Sequence, residues 1–338
     1  MTDFVVLTGF LGSGKTTLLA DFLALPEAAA SAVIVNEVGE IGLDGAILGE
    51  SGGVPVAMLA NGCICCALQG DLERTVGALV EAGRGGPPLA RIVLETSGLS
   101  RPGPILRSLA GLAPLRLRVG VVATVDCRAG PRVAGFEEAA AQWAGAQALV
   151  LTKRDLATPA QRRRAREAAC AINPLAAVID LDDRAAALRA AFCAPPSPIL
   201  SSSPSPVPAP FWTVPRLRHP RVAVLLARPA ASLDWDALAE WLDNLAGLLG
   251  DRLLRIKGVV RVAGSAAPLL VQSVGTLFSA PRSFPAMADA EPFLVVIVRD
   301  TDPRELAQAG PDLALDFRPL GGPLAAGGGD EVPASPGG

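Results

Sequence analysis

The sequence predicts an α/β protein: a mostly parallel sheet with helices on both faces, followed by a smaller C-terminal α+β domain. Three observations lead to this prediction. Short apolar runs alternate with helix-patterned segments over residues 1–192, an alternation typical of parallel sheets covered on both sides. A glycine-rich loop follows the first apolar run directly. A proline- and serine-rich stretch then separates this part from a second group of apolar runs around one long helical pattern.

Composition shifts along the 338 residues predict two domains, because a chain of this length exceeds one ordinary domain. We expect an N-terminal domain over 1–192, a Pro/Ser-rich linker over 193–215 and a second domain over 216–310. Residues 311–338 are rich in glycine, proline and alanine. A tail of this composition is expected to be largely disordered.

The periodicity of apolar residues places the elements within both domains. The strands expected in the first domain are 4–8, 32–36, 54–59, 90–95, 118–125 and 147–152. Its expected helices are 16–25, 71–83, 103–110, 136–144 and 158–171. The second domain is predicted to contain a strand at 222–227, a helix capped by Ser232, strands around 252–262, 269–278 and 293–299, and a short helix after Asp302.

Composition and charge exclude several classes of protein. No run of about 18 uncharged apolar residues occurs, so no membrane span is expected. A net charge of −3 gives no electrostatic reason to expect a nucleic-acid partner. The first strand begins at once, which leaves no room for a signal peptide and predicts a cytoplasmic protein. Six cysteines in such a chain indicate metal binding or catalysis rather than disulfides.

The glycine-rich loop matches the phosphate-binding pattern G-x-x-x-x-G-K-[ST]. Its backbone N–H groups and the following helix N-terminus form a cradle for phosphate oxygens. Lys15 is expected to reach the β- and γ-phosphates, and the Thr16 hydroxyl to ligate Mg²⁺. The pattern predicts a nucleoside triphosphate site. Its expected binding residues are Gly9, Gly12, Ser13, Gly14, Lys15, Thr16 and Thr17.

Two further strand ends carry residues that fit a nucleotide site. Glu95 ends an apolar strand and precedes a Thr-Ser-Gly turn, so it is predicted to hold Mg²⁺ or orient the attacking water. Together with Lys15 and Thr16, Glu95 completes the expected catalytic set. Residues Thr152, Lys153 and Asp155 resemble the guanine-reading N-K-x-D pattern, with Thr in place of Asn. A hydroxyl is a weaker anchor for that loop, so GTP is favoured over ATP without being settled.

Three thiols within four residues, Cys63, Cys65 and Cys66, form the second strong motif. Thiolates bind Zn²⁺ and similar borderline-soft ions, and three or fewer ligands leave an open coordination position. Buried small hydrophobes and a redox or Fe–S role are the alternatives. Glu37 follows the second strand and is a candidate ligand for Mg²⁺ or for the thiolate-bound metal. The alternative for Glu37 is a solvated loop.

The segments GFLGSGKTT, NEVGEIGLD, NGCICC, ETSG and TKRD, in this order and spacing, resemble the CobW-type family of GTP-dependent metallochaperones. Residues 255–258 are similar to that family's R-x-K-G signature, and the resemblance extends to about residue 305. It implies a P-loop NTPase fold of the SIMIBI type, with GTP and Mg²⁺ at the phosphate loop. It also implies Zn²⁺ or Co²⁺ on the three cysteines, a metalloprotein client or metal-insertion enzyme as partner, and a nucleotide-dependent homodimer.

The resemblance implies a GTPase switch in which GTP and Mg²⁺ order the loops around Glu37 and Glu95, and hydrolysis releases the metal. Turnover is expected to be slow because no arginine finger is identifiable, although Arg101 is a candidate. The chief alternative is a phosphate-loop ATPase that scaffolds Fe–S clusters or inserts nickel. A nucleotide-binding interaction protein without turnover is a third possibility.

Overall fold

A computed structural model describes residues 2–36, 55–58, 68–84, 88–193, 221–229, 231–310, 313 and 315–320. The predicted metal ligands Glu37, Cys63, Cys65 and Cys66 lie outside the described residues, as does most of the predicted linker.

The first sheet confirms the predicted α/β fold, since all its paired strands are parallel. The strands follow the order β3-β2-β4-β1-β5-β6-β7. Their bounds are β1 Asp3–Gly9, β2 Ser31–Val35, β3 Val56–Met58, β4 Arg91–Glu95, β5 Arg118–Asp126, β6 Ala148–Thr152 and β7 Ala177–Ile179. The helices are α1 Lys15–Leu23, α2 Leu68–Arg84, α3 Pro102–Ser108, α4 Gly130–Val133, α5 Glu137–Gly145, α6 Pro159–Ile172 and α7 Arg184–Phe192.

Strand β1 shows why helices cover both faces of this sheet. Successive side chains of a strand point to opposite faces, and in β1 both sets are buried and include apolar residues. Phe4 and Val6 belong to the core shared with α2, α3, α5 and α6. Val5 and Leu7 belong to the core under α1 and α7. Each fully buried side chain of this kind contributes roughly 1.5–3 kcal/mol, so both faces need a cover.

The first domain contains two elements that follow the last predicted helix, strand β7 and helix α7, and the sequence did not predict them. β7 has only three residues, and its first residue is exposed, so its apolar pattern is too short to stand out. Helix α7 is alanine-rich with little amphipathic contrast. Its start is nevertheless defined, because the Asp183 side chain accepts hydrogen bonds from the backbone N–H groups of Ala185 and Ala186.

The C-terminal sheet is antiparallel and gives the smaller α+β domain that the sequence predicts. Its order is β11-β10-β9-β13-β8-β14, with β12 paired to β10. The strands are β8 Val222–Ala227, β9 Leu253–Val260, β10 Leu269–Val274, β11 Leu277–Phe278, β12 Arg282–Ser283, β13 Phe293–Arg299 and β14 Arg318–Pro319. The helices are α8 Trp235–Leu249 and α9 Pro303–Ala307.

Helix α8 covers one face of the C-terminal sheet, but it does not begin at the predicted cap, Ser232. Asp234 is the N-cap, and its side chain accepts a hydrogen bond from the backbone N–H of Ala237. Leu233 is held in extended backbone because it exchanges hydrogen bonds with Arg261 and Ala263. The cap therefore lies one residue after this bridge, and the helix begins at Trp235.

The other face of the C-terminal sheet packs on the first domain, where Val224, Val295 and Ile297 join the core beneath α5. Ordered structure continues past residue 310, the predicted end of the domain: β14 pairs with β8, and Phe317 stacks on Trp241 at 5.6 Å. In the described part of the chain, the helices are all too short or too polar to cross a bilayer.

Candidate functional site

The phosphate loop between β1 and α1 depends on its glycines. Gly12 and Gly14 have φ angles of 66° and 88°, in the left-handed region that favours glycine. At Gly9 a side chain has no room, because an added Cβ would lie 2.0 Å from the Thr124 hydroxyl oxygen. The glycine spacing in the sequence therefore reflects two needs, backbone conformation and close approach to β5.

Lys15 and Ser13 hold this loop through buried contacts. The Lys15 side chain is 9% exposed and its Nζ donates to the carbonyl oxygens of Gly9 at 2.9 Å and Phe10 at 3.4 Å. The hydroxyl groups of Ser13 and Thr124 lie 2.6 Å apart. An ammonium folded over a loop of backbone N–H groups is suited to bind phosphate oxygens.

Thr16 and Glu95 meet beside the loop. The Thr16 hydroxyl donates to Glu95 Oε1 at 2.6 Å, although 79 residues separate them in the chain. They meet because β4 pairs with β1, with Glu95 opposite Leu7. A hydroxyl and a carboxylate are hard oxygen donors of the kind that Mg²⁺ prefers. The donor set therefore fits the magnesium ion that the phosphate loop implies.

The turn after Glu95 lies directly against the phosphate loop. Thr96 donates its backbone N–H to Leu7 O at 3.0 Å, and an added Cβ at Gly98 would lie 2.8 Å from Leu11 Cα. This contact explains the glycine: any side chain there would push the two loops apart. Arg101, the candidate arginine finger, instead forms an ion pair with Glu137 of α5 at 2.5 Å.

The predicted base-reading residues lie at the end of β6, beside a cleft of about 670 Å³ that Gly14, Thr17, Lys153 and Asp155 help to line. The Thr152 hydroxyl is buried and donates to Ser13 O at 2.7 Å. From the N-K-x-D pattern, a hydroxyl at this position is expected to be a weaker anchor than an amide. In the structure this hydroxyl forms a direct hydrogen bond to the phosphate loop. The next residue, Lys153, has a φ of 52°, which places its backbone in the left-handed region.

Several ion pairs lie near the predicted base-reading residues at the end of β6, a region that we call the base end. Lys153 Nζ lies 2.7 Å from Asp126 Oδ2, and Arg154 lies 2.8 Å from Asp180 and 2.5 Å from Asp182. Burial raises the pKa of Asp180, but hydrogen bonds and charges from Arg162 and Arg154 outweigh it and leave that pKa below its usual value. The base end therefore carries charges of both signs. Sequence reasoning missed Asp126 and Asp180, which lack a recognisable motif.

Three cysteines lie among the described residues, and none of them belongs to the predicted metal motif. Cys127 is fully buried, and burial raises the pKa of its thiol to about 11. It is protonated near neutral pH and is a poor metal ligand in that state. Cys170 and Cys193 are half-buried and lie apart from the phosphate loop, on α6 and after α7.

The segments that contain the predicted metal ligands follow the carboxyl ends of β2 and β3. The phosphate loop follows the carboxyl end of β1 in the same parallel sheet, and we call this edge of the sheet the phosphate edge. Val35 of β2 pairs with both Met58 of β3 and Glu95 of β4. Asn36 donates its backbone N–H to Glu95 O at 3.0 Å, and Glu37 is the next residue. The cysteine motif begins five residues after Met58. The first segment thus starts beside Glu95, and the second starts one strand further along the sheet, after β3.

Two family models match this chain. Residues 3–180 match a family model described as the CobW/HypB/UreG nucleotide-binding domain. The chain belongs to the CobW/HypB/UreG family. Residues 223–309 of this family member match a second model, the C-terminal domain of the cobalamin synthesis protein cobW. The two models correspond to the two sheets.

Several relatives of this CobW/HypB/UreG protein are named zinc chaperones. It is 31% identical to zinc chaperone YjiA of Escherichia coli over 81% of this chain and 86% of that protein. Zinc chaperone CobW of Pseudomonas aeruginosa is 45% identical over 30% of this chain and 29% of that protein. The crystal structure of Zn(II)-bound YjiA GTPase matches with a TM-score of 0.64 at 23% identity, covering 91% of this chain and 97% of that one, which shows a shared fold.

Proposed function

We propose that this protein is a GTP-hydrolysing zinc chaperone that carries zinc on Cys63, Cys65 and Cys66 and delivers it to a metalloprotein client or metal-insertion enzyme. The observation that carries the proposal is the meeting of β2, β3 and β4 at the phosphate edge, with Val35 between Met58 and Glu95. The segments that bear Glu37 and the cysteines start from this edge. The similarity to zinc chaperone YjiA over most of both chains supports the same cargo.

In this proposal the phosphate loop binds GTP, and water attacks the γ-phosphate to release GDP and phosphate. Lys15 and the backbone of 12–17 bind the phosphates, while Lys153 and Asp155 read the guanine. Thr16 and Glu95 would hold Mg²⁺, which when bound neutralises charge on the β- and γ-phosphates. Glu95 or the turn after it orients the water. Turnover is slow because the Arg101 guanidinium is paired with Glu137 rather than free to reach phosphate.

Nucleotide and zinc are coupled through the edge they share. Asn36 is hydrogen-bonded to the Glu95 backbone, so a change at Glu95 on hydrolysis is transmitted to the segment that begins with Glu37. Zinc affinity then depends on the nucleotide. By linkage, zinc must change nucleotide affinity by the same factor.

The test is a zinc competition titration against a chromophoric chelator, with a non-hydrolysable GTP analogue or with GDP. The wild-type protein is expected to bind zinc with different dissociation constants in the two states. Cys65→Ala is expected to lose this binding, whereas the matched control Cys170→Ala, on α6, retains it. Equal zinc affinity with both nucleotides contradicts the coupling. A purified protein that absorbs as an Fe–S cluster, or that prefers Ni²⁺ or Co²⁺ in the same titration, contradicts zinc as the cargo.

A further inference from the structure

Helix α5 (Glu137–Gly145) lies between the nucleotide site and the C-terminal sheet, and it is bonded to both. Seven of its nine residues are buried, including the polar Gln142. A buried polar side chain in an alanine-rich helix requires a partner that offsets its loss of water. The partners of α5 point to a role in positioning the loop after Glu95.

On the nucleotide side, Gln142 holds that loop. Its side chain is fully buried, and Nε2 donates to Gly98 O at 3.0 Å and Ser100 O at 2.9 Å. Both partners are carbonyl oxygens, so both amide hydrogens are used and the orientation of the amide is determined. Gly98 itself packs on Leu11 of the phosphate loop. The position of Gln142 therefore sets the position of the turn that follows Glu95.

On the other side, Arg255 of β9 attaches the end of α5 to the C-terminal sheet. Its guanidinium is 1% exposed and donates to Gly145 O at 3.0 Å and Ala146 O at 2.6 Å. A cation at a helix C-terminus stabilises the last carbonyl groups and the helix dipole. Burial lowers the pKa of Arg255 to about 10, which leaves it charged at neutral pH.

The start of α5 is attached to the same sheet by ion pairs. The Glu137 carboxylate contacts Arg299 of β13 and lies 3.1 Å from Arg221 beside β8. The same carboxylate pairs with Arg101, which follows the loop that Gln142 holds. Both ends of α5 are thus bonded to the C-terminal domain, and its centre is bonded to the loop.

We propose that Gln142 is a positioning residue for GTP hydrolysis and that the C-terminal domain keeps it in place through Arg255. The inference rests on the GTPase activity proposed above. Gln142 acts on the reaction through the backbone of Gly98 and Ser100 and touches no phosphate. The C-terminal domain thereby sets the hydrolysis rate from outside the nucleotide site.

The test is GTP hydrolysis by the full-length protein with Gln142→Met, Arg255→Met and the double variant, measured well below each melting temperature. Each single variant is expected to lower kcat about tenfold with KM within about twofold, because a loop is displaced and a phosphate contact is not lost. The double variant is expected to resemble the worse single variant, since both act through one helix. Arg255→Lys keeps one donor and is expected to restore part of kcat.

The matched control is Asp251→Ala, which removes the 2.9 Å ion pair between Arg107 and Asp251. This pair also joins the two domains but bypasses α5, so kcat is expected to stay within about twofold. An unchanged kcat in Gln142→Met overturns the proposal, as does full additivity in the double variant or an equal loss in Asp251→Ala. If Arg255→Met does not fold, the kcat of Arg255→Lys decides the second link. Absence of hydrolysis in the wild type would overturn the GTPase assignment instead.

Discussion

The phosphate end and the base end of the nucleotide site are built from different kinds of contact. At the phosphate end, the bonds are buried or partly buried, and they are made by hydroxyl groups, backbone carbonyls, the Glu95 carboxylate and the Lys15 ammonium. At the base end, the bonds are ion pairs near the surface, and the Lys153 side chain is 35% exposed. The first arrangement is shielded from solvent ions, and the second is open to them.

This difference indicates that packing preorganises the phosphate end, whereas the structure of the base end depends on interactions between charges. Thr152 links the two, because it precedes Lys153 in the chain and bonds to Ser13 O in the phosphate loop. Substitutions at the phosphate end should affect hydrolysis at any salt concentration. Substitutions among the ion pairs at the base end should have small effects that vanish as salt rises.

Lys15→Met is expected to have the largest effect. It removes the ammonium that stabilises charge on the transferred phosphate, and loss of one such preorganised donor costs about 10²–10³ in rate. Single-turnover phosphate release at low and high salt measures it, and the loss should be the same at both. GTP binding should fall more than GDP binding, because the γ-phosphate loses a contact. A rate within tenfold of wild type would contradict the conclusion that the phosphate end is preorganised.

Asp155→Asn comes next, with roughly a 10–100-fold loss of GTP affinity, the range for hydrogen bonds to a charged group. ATP affinity is expected to stay the same, because adenine lacks the donors that the carboxylate accepts. Fluorescent-nucleotide competition measures both. Asp182→Asn is the matched control at the same rim, and there the change should not exceed about threefold. Equal losses of GTP and ATP would show that Asp155 does not read the base.

Thr152→Val tests the link between the two ends. Valine keeps the shape but leaves Ser13 O without this donor, so the free energy of unfolding should fall by about 1–3 kcal/mol in a urea titration. GTP and ATP affinities should fall together by less than about tenfold, since the bond positions the loop and not the base. Thr152→Ser retains the hydroxyl and should behave nearly as wild type. A loss confined to GTP would assign Thr152 to base reading.

Arg154→Ala is expected to have the smallest effect. Its ion pairs with Asp180 and Asp182 hold the loop that carries Asp155, and pairs of this kind contribute roughly 0.2–1 kcal/mol. GTP affinity should therefore fall roughly two- to fivefold at low salt, and the difference should disappear near 0.5 M salt, about where the Debye length is a few ångströms. A loss that persists at high salt would place this end in the same class as the phosphate end.

Local patterns account for the parts of the fold and site that the sequence predicted. The glycines at 12 and 14 mark positive φ angles, and the apolar runs mark buried parallel strands. Where two local choices were equivalent, the sequence could not decide: Ser232 and Asp234 are both good caps, and the bridge at Leu233 selects Asp234. Gln142 was missed because a lone glutamine in an alanine-rich helix carries no pattern.

The sequence by itself determined the phosphate loop, the parallel sheet before the linker and the α+β domain after it, because periodicity and backbone conformation are properties of neighbouring residues. Only the tertiary structure decided which distant groups meet. Thr16 reaches Glu95 across 79 residues, Thr152 reaches Ser13 across 139, and Arg255 reaches Gly145 across 110. These contacts follow from strand order and domain packing, which place β4 beside β1 and β9 beneath α5. No local pattern specifies them.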